Sequence, residues 1–188
     1  MLYETERRRL RVSYDLVERL DDGRYRLGVE AARIGSVYQQ SFAMEERIVP
    51  VLERLASESL ETASFYIRRG NQRLCLFRVD SPHPLRMNVR PGDVRPMDGS
   101  AIAQVLTTFS AQRKSKRQEM SLPIYSSGIT DPHVAALASP VFGSGGLLLG
   151  ALALSGPSSR LTAEQASVLG PRLREAAERL SSELGAQV

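Results

Sequence analysis

The sequence predicts an α+β domain in which helices pack on an antiparallel sheet. Three observations carry that reading. Two strand-length apolar runs, Ala135–Phe142 and Leu147–Leu154, flank the turn Gly143-Ser144-Gly145-Gly146, the punctuation of a β-hairpin. Both runs are apolar at nearly every residue rather than every second one, so both faces of the hairpin are expected to be covered. An amphipathic helix then follows Leu161, opened by Thr162 with Gln165 three residues on, a capping-box spacing.

Taken in order, the first 28 residues are rich in arginine. Arg7-Arg8-Arg9-Leu10-Arg11 precedes Asp15–Leu20, the turn Asp21-Asp22-Gly23 and the segment Arg24-Tyr25-Arg26-Leu27-Gly28. The last pieces read as a small hairpin around an Asp-Gly turn. A basic hairpin after a basic helix fits the wing of a winged-helix DNA reader, with arginines meeting phosphates; it equally fits an exposed terminal hairpin. Val29 to Glu58 is helical, with Ile34, Val37, Tyr38, Phe42 and Met44 as apolar positions. Pro50 in its middle predicts two helices meeting near Arg47–Pro50. Such helices either pack on their own core or carry a dimer contact.

Strands are expected at Thr62–Arg69 and Arg73–Val79, joined by Gly70-Asn71-Gln72. Ser81-Pro82-His83-Pro84 turns the chain, and Leu85–Val89 reads as a third strand ended by Arg90-Pro91-Gly92-Asp93. With the central hairpin this gives a sheet of about five to six antiparallel strands. Asp98-Gly99-Ser100 opens a helix over Ala101–Phe109. Its free backbone N–H groups form either a seat for a carboxylate or phosphate or a turn capped by Asp98 or Ser100. Ser110–Gln118 is polar and basic, and Ser126–His133 reads as a loop. The second hairpin strand is expected to stop at Ser155-Gly156-Pro157. The terminal helix, Ala163–Leu184, repeats apolar residues at helical spacing and ends at Gly185.

With 188 residues, 24% charged and 42% hydrophobic, the chain has the make-up of a globular protein with one main domain and an appendage. No apolar run approaches the roughly 20 residues of a membrane span, and the N-terminus has no apolar signal segment. The single cysteine, Cys75, lies in an apolar run; it fits a reducing cytoplasm and reads as a buried, inert thiol. Residues 66–118 hold eleven Arg and Lys against three Asp, a net +8 in a chain of net +4, so that half could attract anions. His83 and His133, the only histidines, lie beside prolines without metal-ligand spacing or a nucleophile motif. The chain is therefore not expected to be an enzyme.

Several stretches in order then carry a family resemblance. They are Asp22–Gly28, Val51-Leu52-Glu53-Arg54-Leu55-Ala56, Ser81-Pro82-His83-Pro84-Leu85-Arg86, Ala138-Ser139-Pro140-Val141, and Ala151–Thr162. Over nearly its whole length the chain resembles an IclR-type bacterial transcriptional regulator. That resemblance implies an N-terminal winged helix-turn-helix and a GAF-like effector-binding domain. Residues 1–28 would be the end of a recognition helix and the wing, 29–46 a linker helix, and 47–188 the effector-binding domain. It implies a cytoplasmic homodimer or dimer of dimers whose grip on operator DNA is altered by a small metabolite, an organic acid or an aromatic. No cofactor and no metal are implied.

Carried over position by position, the implied ligand contacts are Gly99, Ser100 and Ala101 at the helix start, Asp131, Ala136, and Ala153 and Ser155 on the last strand. The implied DNA contacts are Arg7, Arg8, Arg9, Arg11, Arg24 and Arg26. Positions 153 and 155 share one face of a strand, where a short hydroxyl with helix-terminal amides could hold a carboxylate. The chain departs from the family at Ala103-Gln104, where Gly-Lys is usual, and at Ala136 and Ala153, which replace more polar residues. It is also shorter between Leu106 and Gly128 and after Asp131. These departures predict a more apolar pocket under a reduced lid. A winged helix-turn-helix needs about 60–70 residues, so this chain by itself is not expected to bind DNA specifically. A small-molecule sensor or partner-binding module on the same fold is the alternative.

Overall fold

The computed structural model describes residues 15–41, 44–111 and 121–185, and the chain falls into two compact units, Met1–Glu45 and Glu46–Val188. In the first, β1 (Val17–Arg19) pairs antiparallel with β2 (Tyr25–Leu27), Glu18 opposite Arg26. Gly23 supplies the left-handed backbone of the tight turn between them. At the foot of the hairpin a Cβ on Gly28 would lie 1.9 Å from the Asp15 carbonyl oxygen, so only glycine fits. Helix α1 (Val29–Ser41) follows.

The second unit takes in all but the first two residues of α2 (Met44–Ser59), which runs through Pro50 unbroken. The expected junction at Arg47–Pro50 is therefore corrected: Pro50 lies inside one helix that begins at Met44, and residues 42–43 lie outside the described residues. Pro50 costs roughly 3 kcal/mol inside a helix. Ile48, Leu52 and Leu55, all buried, recur at helical spacing and contribute about 1.5–3 kcal/mol each. Burial outweighs the proline.

A six-stranded sheet follows in the order β5-β4-β3-β8-β7-β6, every neighbouring pair antiparallel. Its strands are β3 (Thr62–Arg69), β4 (Gln72–Val79), β5 (Val94–Pro96), β6 (Ile124–Ser127), β7 (Val134–Phe142) and β8 (Leu148–Pro157). Helix α3 (Ala101–Ala111) covers one face, over Ala136, Ala138, Ala151 and Ala153. These alanines let the helix approach closely, and Phe109 meets Phe142 edge to face at 5.9 Å. Helix α4 (Ala163–Glu183) covers the other face, and Ala163 and Ala166 share a groove with Leu137. Thr162 accepts from the Gln165 amide at 3.2 Å, the expected start.

Three strand expectations change. Leu85–Val89 forms no strand; Val94–Pro96 takes its place on the β4 edge. Gly92 N donates to Cys75 O and Cys75 N donates to Asp93 O, so that edge is filled by residues 92–96, while Arg78 Nη2 holds the Met87 carbonyl. Ser126 and Ser127, expected in a loop, belong to β6 opposite Ala136 and Ala135. Strand β8 continues through Ser155-Gly156-Pro157 because β3 pairs with it as far as Ser155 and β7 as far as Pro157. Gly156 gives space rather than a stop: a Cβ there would sit 2.2 Å from Glu61 Oε2, and Glu61, 4% exposed, holds Arg160 at 2.7 and 2.8 Å.

Gly156→Ala is expected to lower the stability of the second unit by about 1–3 kcal/mol. In Glu61→Ala the same substitution should cost less, since the side chain it strikes is gone. Urea unfolding of the two singles and the double measures the coupling, and strict additivity would contradict the clash.

Candidate functional site

The α3 side of the sheet carries an arginine on each of three neighbouring strands. Arg68, Arg73 and Arg95 stand in register across β3, β4 and β5, although like charges directly opposite one another repel. Arg73, 4% exposed, is the one most removed from water. It requires an acid, and Asp98 supplies it. Arg73 Nη1 donates to Asp98 Oδ1 at 2.6 Å and Nη2 donates to Oδ2 at 3.0 Å. Nη1 also reaches Ser100 Oγ at 2.5 Å. The same carboxylate accepts from Ser100 N at 3.1 Å and from Thr130 Oγ1 at 2.8 Å. Burial would raise the Asp98 carboxyl, but the hydrogen bonds from Arg73, Ser100 and Thr130 outweigh it and hold it well below the usual carboxylate range.

Beside this network lies a small cavity of about 30 Å³ on the same sheet face. Tyr66 and Arg73 form its floor, Arg95 one edge and Ser100 and Ile102 the α3 side; Ala136 and Ser155 come from paired strands. Met87, Val89, Ile129 and Thr130 cover it from two loops. Burial pushes the Tyr66 hydroxyl up, and the neighbouring Cys75 adds to it. Cys75, fully buried, is pushed up to about 11, chiefly by burial. A thiol so placed is a poor nucleophile.

The sequence-derived positions distribute unevenly. Ser100, Ala136 and Ser155 line the cavity. Ala153 is fully buried beneath α3 in the apolar cluster, opposite Ser64 and Ala138. The amides at the helix start are engaged by the chain itself: Ser100 N by Asp98, and Ala101 N by Ser126 Oγ at 2.8 Å. The Gly99 carbonyl accepts from Gln104 Nε2 at 2.7 Å. Asp131 is exposed, off the cavity lining, and accepts from His133 N at 2.8 Å. In the hairpin, Arg24 pairs with Asp22 and Arg26 with Glu18, each at 2.6 Å. Arg7, Arg8, Arg9 and Arg11 lie outside the described residues. Of the two histidines, His133 is exposed and His83 half-buried. No group of three His, Cys, Asp or Glu among the described residues could hold a metal ion. No described helix is long and apolar enough to cross a membrane.

Sequence reasoning missed Arg73, Asp98 as its partner, Tyr66, Arg95 and Thr130 as site residues. Arginines inside an otherwise apolar strand were the available signal, since a buried guanidinium demands a partner.

A six-stranded antiparallel sheet with helices on both faces is the α+β architecture of IclR-type C-terminal domains. The family model for the bacterial transcriptional regulator IclR C-terminal domain matches residues 37–133, about half the chain, and the chain belongs to the IclR family of bacterial transcriptional regulators. It is 26% identical to the HTH-type transcriptional repressor AllR of Klebsiella pneumoniae, over 87% of this chain and 70% of that protein. It is 20% identical to the regulator KipR of Bacillus subtilis, over 87% and 76% of the two chains. Among solved structures it shares the fold of an IclR regulator from Silicibacter sp. TM1040, with a TM-score of 0.80 at 22% identity over 99% of this chain and 84% of that one. An IclR regulator from Alicyclobacillus acidocaldarius gives a TM-score of 0.74 at 18% identity over 94% and 82%. These are regulators of transcription rather than enzymes.

The Asp98 network sets a pH dependence. A carboxyl held below its ordinary value in the folded state contributes stability that is complete above about pH 4. That contribution is lost as the pH falls from there toward the folded-state value. Acid unfolding followed by circular dichroism should therefore be shallower in Asp98→Asn than in the parent, with the parent more stable at neutral pH.

Proposed function

We propose that the chain is a small-molecule-responsive regulator in which an effector bound between the sheet and α3 changes the hold on operator DNA. The observation supporting this most directly is the cavity, which gathers Tyr66, Arg73, Ser100, Ala136 and Ser155 from separate elements in a member of a transcription-regulator family. Its floor is a rigid sheet and its roof is two loops, the arrangement in which a ligand can move a cover without disturbing the support. The retained reading of the ends is a wing and recognition-helix remnant at 1–28, a linker at 29–46 and an effector domain at 47–188. It acts in the cytoplasm as a homodimer or dimer of dimers.

A second reading, a sensor on the same fold without specific DNA binding, has one observation in its favour. Both wing arginines are matched to acids within the hairpin, Arg24 to Asp22 and Arg26 to Glu18, which reduces the positive charge it can offer to phosphates.

Fluorescence anisotropy with DNA from upstream of the gene, titrated in salt, separates the two. The 188-residue chain is expected to bind weakly and to lose binding steeply as salt rises, the behaviour of arginine–phosphate contacts alone. Binding that survives competitor DNA and shifts with a metabolite would instead show a DNA reader sufficient in this chain. An effector screen by thermal shift tests the cavity separately, and Ser155→Leu, which fills it, should abolish any stabilisation seen with the parent.

A further inference from the structure

Away from α3, helices α2 and α4 leave a polar cleft between them. Its volume is about 440 Å³, within the range of small-molecule sites, against about 30 Å³ for the cavity beside Arg73. Leu55 of α2 and Ala176 of α4 are its buried apolar members. The rest of its lining is charged and exposed: Arg54 and Glu58 from α2, and Arg172, Glu175 and Arg179 from α4.

Helical spacing explains how one cleft collects these groups. Arg54 and Glu58 are one turn apart and share a face of α2. Arg172, Glu175, Ala176 and Arg179 recur at i, i+3, i+4 and i+7, a single stripe along α4. The stripe borders Leu173, Ala177 and Leu180, which are buried, so it lies at the margin of the core.

The charges of the cleft do not pair with one another. The order Arg172, Glu175, Arg179 permits ion pairs at i,i+3 and i,i+4, and on the same helix Arg174 and Glu178 do pair at 2.8 Å. Yet none of the five cleft residues makes an ion pair or a side-chain hydrogen bond among the described residues. Three guanidinium groups and two carboxylates therefore line a ligand-sized space with their donors and acceptors free.

We propose that this cleft binds a phosphate monoester that also carries hydroxyl groups, such as a sugar phosphate or a nucleotide. Arg172 and Arg179 stand two turns apart, roughly 10 Å along the axis, on either side of the small Ala176, and Arg54 adds a third fork from α2. A carboxylate offers two oxygens to one fork, whereas a phosphate monoester offers three oxygens and close to two negative charges. Glu58 and Glu175, when ionised, only accept hydrogen bonds. They repel bare phosphate and favour a molecule with donors next to it, which the hydroxyls supply. The bound ester bridges α2 to α4. This is a second site, independent of the effector reading, and no residue lines both it and the cavity beside α3.

The test is titration of the 188-residue chain with inorganic phosphate, glycerol phosphate and AMP, and with glycerol and adenosine as uncharged matches, followed by calorimetry and amide NMR shifts. At least one ester should bind at millimolar concentration or below, ahead of inorganic phosphate and of its uncharged match. Arg54→Gln, Arg172→Gln and Arg179→Gln should each weaken it about three- to tenfold, and Arg172→Lys less than Arg172→Gln. All three side chains are exposed, so these variants are expected to fold, and circular dichroism checks that they do. Glu58→Gln should narrow the gap between inorganic phosphate and the esters, a change that general attraction to positive charge does not produce. Arg174→Gln, outside the cleft, should leave binding as it is. Equal weakening by Arg174→Gln marks diffuse attraction and overturns the site. Ester binding that survives the three arginine variants but is lost in Ser155→Leu belongs to the α3 cavity; it overturns the site and leaves the effector reading intact. No ester binding at millimolar concentration overturns the site as well. So does self-association of the parent that Arg54→Glu abolishes, which makes the cleft a contact between copies.

Discussion

The Asp98 carboxylate is the interaction on which the α3 side of the sheet depends. It joins three separate pieces of chain: β4 at Arg73, the first residue before α3 at Ser100, and the loop at Thr130. Remove the acid and a buried guanidinium is left between two like-charged neighbours in register, Arg68 and Arg95. A buried charge without its partner is among the most destabilising of single defects, about 3–5 kcal/mol. The start of α3 is tied to the sheet by that pair, while Val105, Leu106 and Phe109 pack the rest of the helix on it.

The other half of the second unit obeys a simpler constraint. Leu137, Leu152, Leu154, Phe65 and Leu173 are all buried, and burial needs no particular geometry beyond filled volume. The α4 side is thus a conventional apolar layer, while the α3 side mixes alanine, arginine and hydroxyl groups. Alanine keeps the helix close but fills little, and this is why a cavity persists there. The function proposed for the chain lives on the side where charged and hydroxyl groups are buried among the alanines.

Much of the sheet was legible because its strands announce themselves through apolar runs and glycine-bearing turns. The β3–β4 hairpin, the β7–β8 hairpin and the Thr162 cap all follow from local chemistry. The misreadings fall where a neighbour, not the segment, decides. Leu85–Val89 has strand composition, but the β4 edge is occupied by residues 92–96. Ser126 and Ser127 look like loop and are drawn into β6 by β7. Pro50 looks like a helix end, and the apolar stripe of α2 carries the helix through it. Of the site, Ser100, Ala136 and Ser155 were reachable from the resemblance. Arg73 left a signal, a guanidinium inside an apolar strand, but its partner Asp98 lies 25 residues away and no local pattern names it.

The sequence by itself determined the fold class, the hairpins, the terminal helix and the family, since each rests on short-range pattern or on ordered motifs. Tertiary structure alone decided which charges meet. Arg73 and Asp98 are 25 residues apart, and Ser64 and Arg78 face one another only through a shifted register. Charge pairing and register depend on distances across strands, and a linear pattern does not contain those distances.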